Sequence, residues 1–173
     1  MFQNPDSRKM VVRKQPHYSI EQTVEFMRDL AEEGQTSPIV RHFALEAISK
    51  IKPKDAITEI GALYHACCRD VHYVSDPIGA EFLQHPEVTI KTSAGDCDDM
   101  TILLATTLCM SEILSIGHPC RFRIVGFDGD DYSHVFLEIY VNGRYVALDP
   151  VAGPSTASML KRITKSKVFE IKI

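Results

Sequence analysis

The chain has 173 residues, a formal net charge of −4, 45% hydrophobic and 24% charged residues. These values are an ordinary soluble composition and argue against a disordered chain, and a chain of this length buries enough surface to fold without a metal or a disulfide. No apolar run reaches membrane-spanning length, and the mild acidity gives no reason to expect nucleic acid or an anionic membrane as a partner. The polar start carries no secretory pattern. Five cysteines, an odd number and without a C-x2-C pair, argue against a disulfide framework and for a reduced, cytoplasmic setting.

Residues 1–18 read as a loosely held arm, followed by a single domain over 19–173 with a helical part (19–117) and a sheet part (118–173). Ser19 and Gln22 form a capping box ahead of a helix whose apolar face carries Ile20, Val24, Met27, Leu30 and Ala31, with Gly34 as its stop. Ser37-Pro38 opens a second helix and Asp55 a third, the latter striped by Ile57, Ile60, Leu63, Tyr64, Cys67 and Val71. Residues 78–95, punctuated by Gly79, Pro86 and Gly95, fit neither period. The strongest helical pattern runs from Cys97 to Ile116 and stops at Gly117 and Pro119.

The character then changes to strands at Arg121–Phe127, His134–Val141 and Arg144–Leu148, with a further strand expected over Val168–Ile173. Helices first and antiparallel strands second define an α+β fold, a helical N-terminal half packed on an antiparallel sheet. Asn142-Gly143 is a type I′ hairpin signal, which pairs Val141 with Arg144 and puts His134 and Asp149 on one face as diagonal neighbours. The opposite face then receives Val135, Leu137, Ile139, Val141, Val146 and Leu148, an apolar set that supports the register.

A carboxylate beside an imidazole fixes its tautomer and leaves one ring nitrogen for a nucleophile. Asp96 is a natural N-cap, with Asp99 three residues on, so Cys97 falls in the first helical turn, where the helix dipole favours a thiolate. Nucleophile at a helix start, base on a strand and orienting carboxylate on the next strand is the logic of a Cys-His-Asp triad. A buried thiol, a strand-edge histidine packed on Phe136 and a turn-forming aspartate before Pro150 are the plainer readings of each residue alone. They do not explain the shared face.

Gly95-Asp96-Cys97-Asp98-Asp99-Met100, then Ser133-His134-Val135-Phe136-Leu137-Glu138, then Tyr145-Val146-Ala147-Leu148-Asp149-Pro150 after the turn resemble the transglutaminase-like, papain-related superfamily. The chain is similar to the small transglutaminase-like cysteine protease domains of bacteria and tailed phages. The resemblance covers about residues 55–150, including the lead-in Arg69–Pro77. It implies Cys97 as nucleophile, His134 as general base and acid, Asp149 as orienter, and acyl transfer from a protein or peptide amide through a thioester. Residues 1–54 fall outside it and are free to shape a substrate groove. The second oxyanion donor is open among Tyr73, His72 and Gln84, with Tyr73 favoured as an aromatic donor upstream of the cysteine. No cofactor is required. Acidic residues around the cysteine hold calcium in some adhesin-cleaving members, which makes Asp96, Asp98 and Asp99 candidate calcium ligands. The rival readings are a non-enzymatic assembly module that kept the fold and an arylamine-type acetyltransferase.

Three other features have plain explanations. His65, Cys68 and His72 fall along one helix without a fourth ligand, Asp128–Asp131 lacks the terminal glutamate of an EF-hand loop, and Lys161, Arg162, Lys165 and Lys167 form a solvated basic face. Glu138, on the His134 face, is expected to serve structure or a buried ion pair.

Overall fold

In the computed structural model the described residues are 11–14, 18–77, 81–111, 118–127, 129 and 131–171. The helical half begins with α1 (Ile20–Gly34), α2 (Pro38–Ile48) and α3 (Ala56–Asp70), each started by the residue the sequence nominates. Ser19 and Gln22 close the capping box, with Gln22 N donating to Ser19 Oγ at 3.3 Å and Ser19 N donating to Gln22 Oε1 at 2.9 Å. Ser37 and Asp55 cap α2 and α3.

Gly34 has a different role from the expected one. It is the last residue of α1, it does not adopt a left-handed backbone, and Gln35 forms the cap. A Cβ there would lie 2.8 Å from Pro86 Cγ and 2.9 Å from Thr106 Cγ2, so glycine allows α1 to touch its neighbours.

The ambiguous stretch resolves into short elements. Strand β2 (His72–Tyr73) follows α3. Then come β3 (Glu81–Gln84), α4 (Pro86–Thr92) and β4 (Ala94–Gly95). Part of the expected arm is a strand, β1 (Val11–Lys14), which pairs antiparallel with β3, Val11 opposite Gln84. β2 and β4 pair in parallel, Tyr73 opposite Gly95. Two-residue and four-residue strands carry no readable period, and Pro86, taken as a breaker, is the first residue of α4.

Helix α5 (Cys97–Met110) is the hub. Every residue from Asp98 to Leu108 is buried, and it packs against α1, α3, α4 and strand β6 (His134–Val141). The last residues expected for this helix, 112–116, and its stop at Gly117 lie outside the described residues. Thr101 Oγ1 donates to Val135 O at 3.3 Å, a direct tie from helix to sheet.

The main sheet has the order β7-β6-β5-β8, all antiparallel, with β5 at Cys120–Phe127, β7 at Arg144–Leu148 and β8 at Ile163–Glu170. The hairpin register is the one read from the turn: Val141 faces Arg144 and Leu137 faces Leu148. Asn142 and Gly143 take positive φ, 50° and 84°. Val135, Leu137, Ile139, Val141 and Leu148 are buried, together with Phe122 and Ile124 from β5. The last strand starts earlier than expected, because Lys165 and Lys167 alternate along it and disguise its period. A 3-10 turn (Gly153–Ser155) and the short helix α6 (Thr156–Leu160) link β7 to β8. On the other face of the sheet Glu138 is buried between two cations, accepting from Arg121 Nε at 2.7 Å and Arg123 Nη1 at 2.8 Å, the expected ion pair.

No helix among the described residues is long and apolar enough to cross a membrane.

Candidate active site

Cys97 is the first residue of α5, half-buried, and its position is set by the residues around it. Asp96 Oδ1 accepts from Asp98 N at 3.2 Å and Asp99 N at 3.5 Å, while Asp99 Oδ2 accepts from Asp96 N at 3.3 Å. This reciprocal cap holds the turn in which Cys97 sits. Asp99 is in turn gripped by β3: Gln84 N donates to its Oδ1 and Gln84 Nε2 to its Oδ2, both at 2.7 Å. Gly95 allows this seat, since a Cβ there would stand 2.7 Å from Asp99 Cβ.

His134 opens β6. Its Nε2 lies 2.7 Å from Asp149 Oδ2. An ionised carboxylate only accepts, so Nε2 carries the hydrogen and Nδ1 is the remaining ring nitrogen. Phe127 and Phe136 flank the imidazole at 6.1 and 6.0 Å between centroids. Asp149, just past β7, is wholly buried. Its Oδ1 accepts from Val151 N and Ala152 N, both at 3.0 Å, and its backbone carbonyl accepts from Tyr64 Oη at 3.1 Å. Tyr64 thus ties α3 to the carboxylate's backbone. Burial pushes its hydroxyl up to about 12, so it donates at every physiological pH. The helical stripe placed Tyr64 in the core, and nothing in the sequence marked this contact.

Cys97 and His134 line one cavity of about 490 Å³. Tyr73 lines it too. The parallel pairing of β2 with β4 brings it beside the turn before Cys97, and burial, reinforced by negative charge at Cys97, Asp96, Asp98 and Asp76, raises its hydroxyl pKa. The other two oxyanion candidates are not among the lining residues. Gln84 is committed to Asp99, and His72 alternates with Tyr73 along β2. Tyr18 and the start of α1, with Ile20, Thr23 and Met27, also line the cavity.

The acidic residues divide. The ligand atoms of Asp96, Cys97 and Asp98 lie within 4.8 Å of one another, the only such group of three among the described residues. Asp99 is excluded from it because both of its oxygens serve the protein. Burial, with repulsion from Asp98, pushes Asp96 up to about 9 and Asp99 up to about 7. His65, Cys68 and His72 do not gather. Asp128 and Asp130 lie outside the described residues.

The transglutaminase-like superfamily model matches residues 42–150, most of the chain, and the chain belongs to that superfamily. Its fold is similar to that of Legionella pneumophila LapG, with 20% identity and a TM-score of 0.58 over 86% of this chain and 84% of that one. It is also similar to a proposed cysteine protease from Cytophaga hutchinsonii, at 17% identity and a TM-score of 0.50, covering 92% of this chain and 57% of that one. A proposed protease from Parabacteroides distasonis shares 12% identity and a TM-score of 0.51 over 71% of this chain, which spans only 25% of its length. No curated protein matches the chain.

Proposed function

We propose that this protein is a cysteine-dependent amide hydrolase or acyltransferase acting on a protein or peptide, with Cys97, His134 and Asp149 as its triad. The observation that carries the reading is the His134–Asp149 pair at 2.7 Å on the wall of the cavity that Cys97 also lines. In the reaction, His134 Nδ1 takes the Cys97 thiol proton as sulfur attacks the carbonyl carbon. The C–N bond then breaks, the leaving amine takes the proton from His134, and a thioester remains. Water, deprotonated by His134, attacks the thioester; the C–S bond breaks, the acid leaves and the thiol is restored. An amine in place of water gives transamidation.

The Cys97 backbone amide and the Tyr73 hydroxyl supply the oxyanion donors. Loss of one such donor typically costs on the order of a hundredfold in rate. Asp149 orients the imidazole and stabilises its cation.

The hard oxygens of Asp96 and Asp98 fit a calcium ion, with Asp99 set aside. The ion would offset the negative charge beside the thiolate. Calorimetry is then expected to detect calcium binding, and a chelator to slow Cys97 alkylation. No binding with unchanged reactivity contradicts this part.

The main test is trapping. A peptide library incubated briefly with the protein and quenched in acid is expected to leave an acyl adduct on Cys97 by mass spectrometry, absent in His134→Ala. A protein that forms no adduct and shows no His134-dependent thiol reactivity is instead the assembly module.

A further inference from the structure

The family match begins at residue 42, yet one wall of the cavity is built before it. Tyr18, Ile20, Thr23 and Met27 come from the start of α1 and meet Ile124 of β5 and Val135 of β6 across the cavity. Met27, Ile124 and Val135 are buried and form an apolar floor, while Ile20 and Thr23 stand half-buried above it. The wall is tied to the sheet from outside: Arg28 donates to Glu170 O at 2.5 Å and Lys167 pairs with Glu21 at 3.0 Å, so α1 is held to β8 at two points. The cap at Ser19 holds the turn on which Tyr18 and Ile20 sit. Around Cys97 the lining is acidic, with Asp76, Asp96 and Asp98, and no lysine or arginine lines the cavity among the described residues.

We infer that α1 is the specificity wall of the enzyme proposed above, and that it selects a peptide with an uncharged aliphatic side chain within two residues of the scissile amide. The apolar floor of Met27, Ile124 and Val135 gains from an aliphatic group and offers a charged one no hydrogen-bonding partner of its own. Asp76 and Asp98 in the lining disfavour an acidic side chain, and a lysine that paired with them in place of the floor is the outcome that counts against the inference. The inference rests on the Cys97–His134 reading, and the test separates the two.

The probes are peptidyl acyloxymethyl ketones carrying Leu, Asp or Lys at each of the two positions before the ketone. Plain iodoacetamide, which has no side chain to select, serves as the control. Rates of Cys97 modification are read by mass spectrometry. The Leu reagent is expected to react at least about tenfold faster than the Asp and Lys reagents at one position, the scale on which apolar pockets discriminate. Ile20→Lys or Thr23→Arg is expected to shrink the Leu-to-Asp ratio about tenfold. A ratio taken within one variant does not depend on how much of it is folded. Equal rates for the three reagents, a faster Lys reagent, or an unchanged ratio in both variants overturns the inference while leaving the nucleophile in place. Iodoacetamide labelling that is the same in wild type and His134→Ala overturns the underlying reading, and the inference with it.

Discussion

Asp149 is wholly buried, yet it is supplied with donors: two backbone amides on one oxygen and His134 on the other. Those contacts offset the cost of removing a carboxylate from water and leave it one available service, to hold the ring. Asp149→Asn keeps the shape but presents an amide hydrogen or a weaker acceptor to the imidazole. A drop of about a thousandfold or more in amide turnover is expected, with the circular dichroism spectrum preserved. A loss of tenfold or less would mean that the ring is oriented by its phenylalanine neighbours. The cysteines differ just as sharply in environment. Burial raises the Cys67 and Cys120 thiols and pushes Cys109 up to about 12, so all three stay protonated near neutral pH. Native protein at pH 7.5 is expected to take up iodoacetamide at Cys97 ahead of these three, as mapped by peptide mass spectrometry. The same shifts predict an alkaline limit. These thiols titrate near 9 when unfolded and higher when folded, so their contribution to stability is complete below pH 9. It is lost as the pH climbs toward 12. Cys109→Ala is expected to soften that decline in urea melts taken between pH 8 and 10.5, and an unchanged slope would contradict it.

At the level of elements, close approach matters as much as apolar pattern. Gly34 sits where α1 meets Pro86 of α4 and Thr106 of α5. Gly34→Val is expected to destabilise the protein by about 1–3 kcal/mol through overpacking, seen as a lower thermal midpoint. A neutral result would show that α1 slides freely, and the cavity wall with it. The elements legible in the sequence are those whose signal is local. Ser19 with Gln22, Ser37-Pro38 and Asp55 announce helix starts by hydrogen-bonding chemistry that needs no tertiary partner. Asn142-Gly143 announces a turn by backbone sterics and thereby fixes a register that brings His134 and Asp149 together. The elements missed are those whose existence depends on a distant partner. β1 has only the edge of β3, β2 has only β4, and α4 is a short helix held by α1, α2 and α5. The candidate site divides in the same way. Cys97, His134 and Asp149 stand out by motif and spacing, whereas Tyr73 is nominated only through the family resemblance. The Tyr64 contact and the grip of Gln84 on Asp99 are not legible, because each acts across long chain separation, and residues 1–54 suggest a groove without marking which side chains line it. Asp99 illustrates the limit: its residue type fits a metal ligand, and only the Gln84 contact shows that both oxygens are already used.

The whole molecule places a buried helix on a twisted antiparallel sheet so that the helix start and a strand start share one opening. The sheet face turned away from α5 is secured by Glu138 with Arg121 and Arg123, and by Arg121 stacked 3.6 Å over the Tyr145 ring. Glu138→Gln removes the counter-charge of Arg123 and leaves Arg121 with Glu170 at 4.0 Å. It is expected to cost about 2–3 kcal/mol in urea unfolding, below the usual range for a broken buried pair because both arginines reach solvent. The central claim is that the fold unites thiol, imidazole and carboxylate into one working unit. Its most direct test is the rate of Cys97 alkylation by iodoacetamide across pH 5–9 in wild type, His134→Ala and Asp149→Asn. The wild-type rate is expected to be already high near pH 6–7, and His134→Ala to react at least about tenfold more slowly at pH 6.5 with a profile that rises only toward the ordinary thiol range. Superimposable profiles in the three proteins would contradict it.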